Sequence, residues 1–134
     1  MHPLILVVDD EPAIREMLDR MLTDAGFEVN TATNGQDASL SIGDRIVDLV
    51  LTDIMMPERS GIDLIVELRK RRPGLPVIAM SGGGRISRED CLRTARRVGA
   101  GAILAKPFTR AQLLASVDLL LSDRSPGATN GMTQ

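Results

Sequence analysis

The stretch Val47-Asp48-Leu49-Val50-Leu51-Thr52-Asp53-Ile54-Met55-Met56-Pro57 decides the reading of this chain. Its apolar run has the length of a buried strand and ends on a carboxylate, just before a loop containing proline. A carboxylate there is badly placed for packing. It is well placed for chemistry, because open parallel sheets bind ligands beyond the carboxyl ends of their strands. The same grammar recurs three times: residues 4–8 run into Asp9-Asp10, residues 75–80 into Ser81, and residues 101–105 into Lys106-Pro107. Four apolar strands thus deliver three carboxylates, a hydroxyl and an ammonium to one expected edge.

Between the strands the apolar spacing becomes helical. Pro12 suits a first helical turn, and Ile14, Met17, Leu18, Met21 and Leu22 fall on one face before Gly26 ends the helix. Residues 27–32 alternate as a short strand, and Asn34-Gly35 opens a brief helix containing Ala38 and Leu40. Ile62, Ile65 and Leu68 mark a third helix stopped by Pro73-Gly74; Cys91, Leu92, Ala95 and Val98 mark a fourth stopped by Gly99. Leu113, Leu114, Val117, Leu120 and Leu121 mark a fifth, with Thr109 as N-cap. Strand–helix units with nearly continuous apolar strands predict an α/β fold: a doubly wound, five-stranded parallel sheet covered on both faces by five helices. Residues 4–121 are expected to form this domain. Residues 122–134, rich in Ser, Gly, Thr, Asn and Pro, read as a flexible tail or a truncated linker.

Composition narrows the function. The chain has 134 residues and a net charge of −2, which argues against a general nucleic-acid binder. It contains no Trp or Tyr and two Phe, so stacking on bases is not expected. One cysteine, Cys91, forms no internal disulfide, and no apolar run approaches the ~18 residues of a membrane span. The expected location is the cytoplasm.

Asp9, Asp10 and Asp53 should crowd together. Two carboxylates ~4 Å apart repel by about 4 kcal/mol at an effective dielectric of 20, so the cluster must take up protons or bind a cation. Hard oxygen ligands without Cys or His favour Mg²⁺. The plainer alternative is that Asp9 or Asp10 caps the first helix and Asp53 caps a turn. It serves each residue singly but not all three opposite a lysine.

Four motifs in order resemble the receiver domain of bacterial two-component response regulators, of the single-domain, chemotaxis-regulator-like kind. They are Val8-Asp9-Asp10-Glu11-Pro12, Asp53-Ile54-Met55-Met56-Pro57 with Gly61, Ser81-Gly82, and Lys106-Pro107-Phe108. The resemblance spans about residues 4 to 121. It implies that Asp53 is the phosphoacceptor, supplied by a histidine kinase, a histidine phosphotransfer protein or a small acyl phosphate. It also implies that Asp10, Asp53 and the backbone carbonyl of Met55 hold Mg²⁺ directly, with Asp9 acting through a water. Lys106 would ion-pair with the phosphoryl group, Ser81 would donate its hydroxyl to it, and the bond before Pro107 would be cis.

Ile103 stands where the family usually carries Tyr or Phe, so switching by ring rotation is not expected. The run Gly82-Gly83-Gly84-Arg85 after Ser81 suggests instead an order change over residues 82 to 90. Met55 and Gly83 offer no side chain to activate water, which predicts a persistent phosphoryl group and no substrate turnover. Arg85, Arg88, Arg93, Arg96 and Arg97 make the fourth-helix region basic, whereas Arg69-Lys70-Arg71-Arg72 reads as a solvated helix end. The face around Arg93, Arg96 and Ile103 is therefore expected to meet a downstream protein target or output domain, or a second receiver in a phosphorylation-dependent homodimer; no direct contact with nucleic acid or membrane is expected. Two alternatives stay open: a phosphorylation-independent scaffold of the same fold, and a Mg²⁺-dependent phosphohydrolase. The latter normally carries an acid two residues after its nucleophile, where this chain has Met55.

Overall fold

The computed structural model describes residues 2–42, 46–54, 61–81 and 88–124, without side chains for 88–92 and 123–124. Strands and helices alternate throughout: β1 (Leu4–Val8), α1 (Pro12–Asp24), β2 (Glu28–Ala32), α2 (Gly35–Ile42), β3 (Leu49–Asp53), α3 (Gly61–Arg71), β4 (Val77–Ser81), α4 (Arg88–Val98), β5 (Ala102–Ala105) and α5 (Arg110–Arg124). All pairings are parallel, in the order β2-β1-β3-β4-β5. This is the expected doubly wound α/β sheet. Its order reverses between β1 and β3, so the carboxyl ends of those strands flank a crevice.

The sheet is buried from both sides. Leu6, Val8, Val50, Val77 and Ala79 face α2, α3 and α4, where Ile42, Leu64, Leu68 and Ala95 meet them. Ile5, Val7, Leu49, Leu51, Ile78 and Met80 face α1 and α5, against Leu18, Leu22, Leu113 and Val117. Successive strand residues point to opposite faces, which is why every position of β3 and β4 is buried. Continuous apolar runs are the result.

Local chemistry sets the helix ends. Pro12 opens α1, and Gly26 follows it at φ 99°, a left-handed conformation that costs a residue with Cβ. Asn34 caps α2, its side-chain oxygen accepting the Asp37 N–H at 2.8 Å. Thr109 caps α5 as expected: its hydroxyl accepts the Gln112 N–H at 3.1 Å, and the Gln112 side chain accepts the Thr109 N–H at 2.8 Å. This is a reciprocal capping box.

Four expectations are corrected. Leu40 is 76% exposed, and Ile42 takes the core position on α2 instead. Met17 is 38% exposed, because α1 turns Leu18 and Leu22 inward and leaves Met17 on its flank. Arg69 is not a solvated helix end: its guanidinium folds back to donate to the Pro73 carbonyl at 3.0 Å and to the Leu75 carbonyl. Finally, α5 continues through Ser122, Asp123 and Arg124, residues that composition assigned to a tail.

The two-sided core predicts an unequal response to truncation. Leu51→Ala, at a fully buried site, should cost about 2–5 kcal/mol in urea denaturation. Leu40→Ala, at an exposed helix position, should stay within about 0.5 kcal/mol.

Candidate phosphoryl and metal site

Parallel register assembles the site from strand ends. Asp53 pairs with Met80 across β3 and β4, and Ser81 pairs with Ala105 across β4 and β5. The Lys106 N–H then donates to the Ser81 carbonyl at 2.7 Å, carrying the lysine to the same edge. On the other flank the Asp9 N–H donates to the Ala32 carbonyl, which places Asp9 and Asp10 just beyond β1.

One carboxylate oxygen from each of Asp9, Asp10 and Asp53 lies within 4.8 Å of the others. Asp9 is fully buried and Asp53 is 5% exposed, whereas Asp10 faces solvent. Lys106 Nζ stands 3.1 Å from Asp9 Oδ2 and 3.6 Å from Asp53 Oδ2. Burial alone would lower the pKa of this ammonium. The Asp53 charge, then the hydrogen bond and charge of Asp9 and the charge of Glu11, outweigh it, so the net shift is upward from the ordinary lysine value. The lysine is a fixed cation at neutral pH. The bond from Lys106 to Pro107 is cis, as expected. Ser81, fully buried at the end of β4, joins the same edge.

The capping alternative does not hold for Asp10. The N-cap of α1 is Glu11, with no side-chain cap bond, and it is Asp9 Oδ1 that accepts the Glu11 N–H at 2.9 Å. The Met55 carbonyl and the Gly82-to-Arg85 run, to which metal binding and switching were assigned, lie outside the described residues.

Two contributors carried no assigned role in the sequence. Arg15 Nη1 donates to the Asp9 carbonyl at 2.7 Å. The signal was its position one turn into α1, since helical side chains lean toward the N-terminus and here reach back over the loop. Gly61 opens α3 directly against β3: its N–H donates to the Ile54 carbonyl at 2.9 Å, and a Cβ there would stand 2.0 Å from the Asp53 carbonyl oxygen. No heavy atom fits at that distance, so glycine is what lets α3 begin beside Asp53.

The donor set suits a small divalent cation: three hard oxygens on one crevice, two of them buried and one open to solvent. With the ammonium opposite, such a centre can hold an anion whose charge is spread over several oxygens. Because the Lys106 pKa is higher in the folded chain, its stabilising contribution is fully present below about pH 10.4 and disappears as pH rises through the folded value. Lys106→Met should therefore be less stable than wild type by a constant margin from about pH 7 to about pH 9. The margin should narrow above about pH 10.4, as read from urea midpoints.

Comparison with known proteins agrees with this geometry. The family model described as response regulator receiver domain matches residues 5–118. The chain is 37% identical over 124 residues to the DNA-binding transcriptional regulator NtrC of Azospirillum brasilense, covering 92% of this chain and 25% of that protein. It is 38% identical over 125 residues to the phosphate regulon transcriptional regulatory protein PhoB of Pseudomonas aeruginosa, covering 92% and 53%. The chain thus spans from a quarter to about half of these relatives. The crystal structure of a CheY-like receiver domain protein from Methanospirillum hungatei superposes with a TM-score of 0.87 at 26% identity, covering 96% of this chain and all of that one. The receiver domain of NtrX from Brucella abortus superposes with a TM-score of 0.82 at 36% identity, covering 88% and 98%. With its sheet order, its edge of carboxylates and lysine, and these matches, the chain belongs to the response regulator receiver domain family.

Proposed function

We propose that this receiver is a phosphoacceptor switch in which Asp53 takes a phosphoryl group from a histidine kinase or a histidine phosphotransfer protein. The observation that carries the reading is the convergence of three carboxylates within 4.8 Å, with Lys106 Nζ 3.6 Å from the Asp53 oxygen. An Asp53 carboxylate oxygen attacks phosphorus, the O–P bond forms, and the N–P bond to the donor imidazole breaks. Transfer of this kind depends on positioning and on neutralising charge on the transferred oxygens. Asp10 and Asp53 would hold Mg²⁺ directly and Asp9 through a water, and the bound ion would supply that neutralisation from one side. Lys106 supplies it from the other, and the Ser81 hydroxyl donates to a phosphoryl oxygen. Asp9 keeps Lys106 in place, and Arg15 holds the loop that carries both acids of β1.

Turnover of a separate substrate is not part of this reading. The chain has Met55 where an aspartyl-phosphate hydrolase would place its general acid. Slow loss of the phosphoryl group to water is the expected end of the cycle. The phosphorylated form then alters binding to a downstream protein, an output domain or a second receiver at the face around Arg93, Arg96 and Ile103. No described helix is long and apolar enough to cross a membrane, and the proposed place of action is the cytoplasm. Ile103, half-buried on β5, favours a second reading as a scaffold read without phosphorylation, because no ring reports on the site.

Incubation with Mg²⁺ and acetyl phosphate, followed by intact-mass measurement of wild type and Asp53→Asn, separates these readings. A phosphoryl gain on wild type alone supports the proposal. A gain on both would place the acceptor elsewhere, and a gain on neither would favour the scaffold. Gly61→Val should keep the circular-dichroism spectrum of the fold yet slow phosphorylation by on the order of 10²-fold, since displacing the Asp53 backbone by about 1 Å spoils the attack geometry.

A further inference from the structure

The three carboxylates of the acidic centre are not held alike. Asp9 Oδ1 accepts the Glu11 N–H at 2.9 Å, and Asp9 Oδ2 faces Lys106 Nζ at 3.1 Å. Asp53 ends a strand that is buried along its whole length, and its Oδ2 stands 3.6 Å from the same ammonium. The Asp10 carboxylate is exposed and makes no hydrogen bond or ion pair among the described residues. Its place in the cluster is therefore set by the backbone that carries it, beginning with the peptide between Asp9 and Asp10.

A single side chain ties that peptide down. Arg15 Nη1 donates to the Asp9 carbonyl at 2.7 Å, while the Arg15 N–H donates to the Glu11 carbonyl at 3.1 Å. One residue thus joins the peptide before Asp10 to the first turn of α1. The two residues after Asp10 lend that carbonyl no N–H: the Glu11 N–H is taken by Asp9 Oδ1, and Pro12 has none. No ion pair joins Arg15 to a carboxylate among the described residues. A cation next to an acidic centre is spent on a carbonyl rather than on charge.

Rigidity matters here because of the ion this donor set suits. Mg²⁺ takes oxygen ligands at about 2.0–2.1 Å in nearly octahedral geometry, whereas Ca²⁺ tolerates about 2.3–2.6 Å and irregular shells. A ligand free to drift is the greater loss to the smaller ion. We propose that Arg15 is a positioning residue that gives the acidic centre its selectivity for Mg²⁺ over Ca²⁺, by fixing the peptide from which Asp10 projects. The inference rests on the phosphoacceptor reading in taking Asp10 as a ligand of the ion.

Charge alone predicts the reverse. A guanidinium bonded to the Asp9 carbonyl is a positive charge beside a cation site, so removing it should tighten the binding of any divalent ion. Mg²⁺ and Ca²⁺ carry the same charge, so this effect gives no preference between them. The positioning role predicts that losing a cation weakens Mg²⁺ binding and spares Ca²⁺. A general loosening of the fold differs again, because it would weaken both ions alike. Sign and selectivity together separate the three accounts.

The test is an amide chemical-shift titration of the full chain with MgCl₂ and, separately, with CaCl₂ at constant ionic strength. Arg15→Met should weaken Mg²⁺ binding by about tenfold or more, as loss of an outer-shell partner does, and Ca²⁺ binding by less than about threefold. Arg15→Lys keeps the charge and one donor on a shorter reach, and should restore part of the Mg²⁺ preference. Arg20→Met removes an exposed cation of α1 that pairs with Glu16, and should affect both ions alike. Without any metal, hydrogen exchange at the Glu11 amide should be faster in Arg15→Met and slower again in Arg15→Lys. Exchange in β3 and β4 should be unchanged, showing that the fold survives. Tighter binding of both ions by Arg15→Met, or equal weakening of both, would overturn the assignment. Wild type that takes up no Mg²⁺ would remove the phosphoacceptor reading together with this inference. Wild-type uptake with the Mg²⁺ preference intact in Arg15→Met would remove this inference alone.

Discussion

Lys106 reaching both Asp9 and Asp53 is the interaction on which the site depends. Two carboxylates at this spacing, away from bulk water, repel by several kcal/mol, and the fold places them there by register rather than by choice of neighbour. β1 and β3 are adjacent, both end at the switch point of the sheet, and both end on aspartate. An ammonium held by the end of β5 makes that arrangement tolerable without filling it. Its single charge faces two buried carboxylates and a third in solvent, so the crevice stays electronegative and able to take a cation. A salt bridge that fully neutralised the acids would leave the crevice no net charge with which to attract a cation.

The two poles of the sheet are built on opposite principles. At the strand starts, polar groups are closed onto the chain: Asp48 accepts the Leu4 N–H at 2.7 Å while its own N–H donates to the Leu4 carbonyl. Arg69 ties the end of α3 to the two loop carbonyls after it. At the strand ends, Asp10 is left in solvent and Asp53 is held against Gly61 with no room for a side chain between them. Asp10 alone of the three carboxylates opens to solvent, so the strand ends keep a mostly buried acidic centre with one accessible member.

Most of the fold was legible because buried parallel strands are read twice, once by hydrophobic length and once by the polar residue that ends them. The placement of Asp9, Asp10, Asp53, Ser81 and Lys106 at one sheet edge was legible in this way. The failures have physical causes. Leu40 and Met17 matched a helical period that does not reveal which flank of a short helix the core takes. Arg69 belonged to a run of four like charges, and a run cannot show that one long side chain folds back to satisfy carbonyls. Ser122 to Arg124 looked like a linker by composition, yet a helix already nucleated over three turns extends through polar residues at little cost. Gly61 was visible only as a residue in a motif; its reason is a backbone approach that only coordinates reveal.

Ile103 changes how a signal can leave the site. A β-branched side chain has few rotamers, so on the proposed reading movement at Ser81 cannot be reported by a swinging ring. The backbone offers another route. The Ser81 carbonyl accepts the Lys106 N–H, and Ser81 is paired with Ala105. Any displacement of Ser81 toward a phosphoryl group therefore pulls on the end of β5 itself, the strand that also carries Ile103 two residues earlier. Lys106 is drawn the same way by charge, so hydroxyl and ammonium act on one strand end rather than on separate elements. On the proposed reading, the coupling of Ser81 to Ala105 and Lys106 would carry a signal through the backbone of β5 rather than through a side-chain ring.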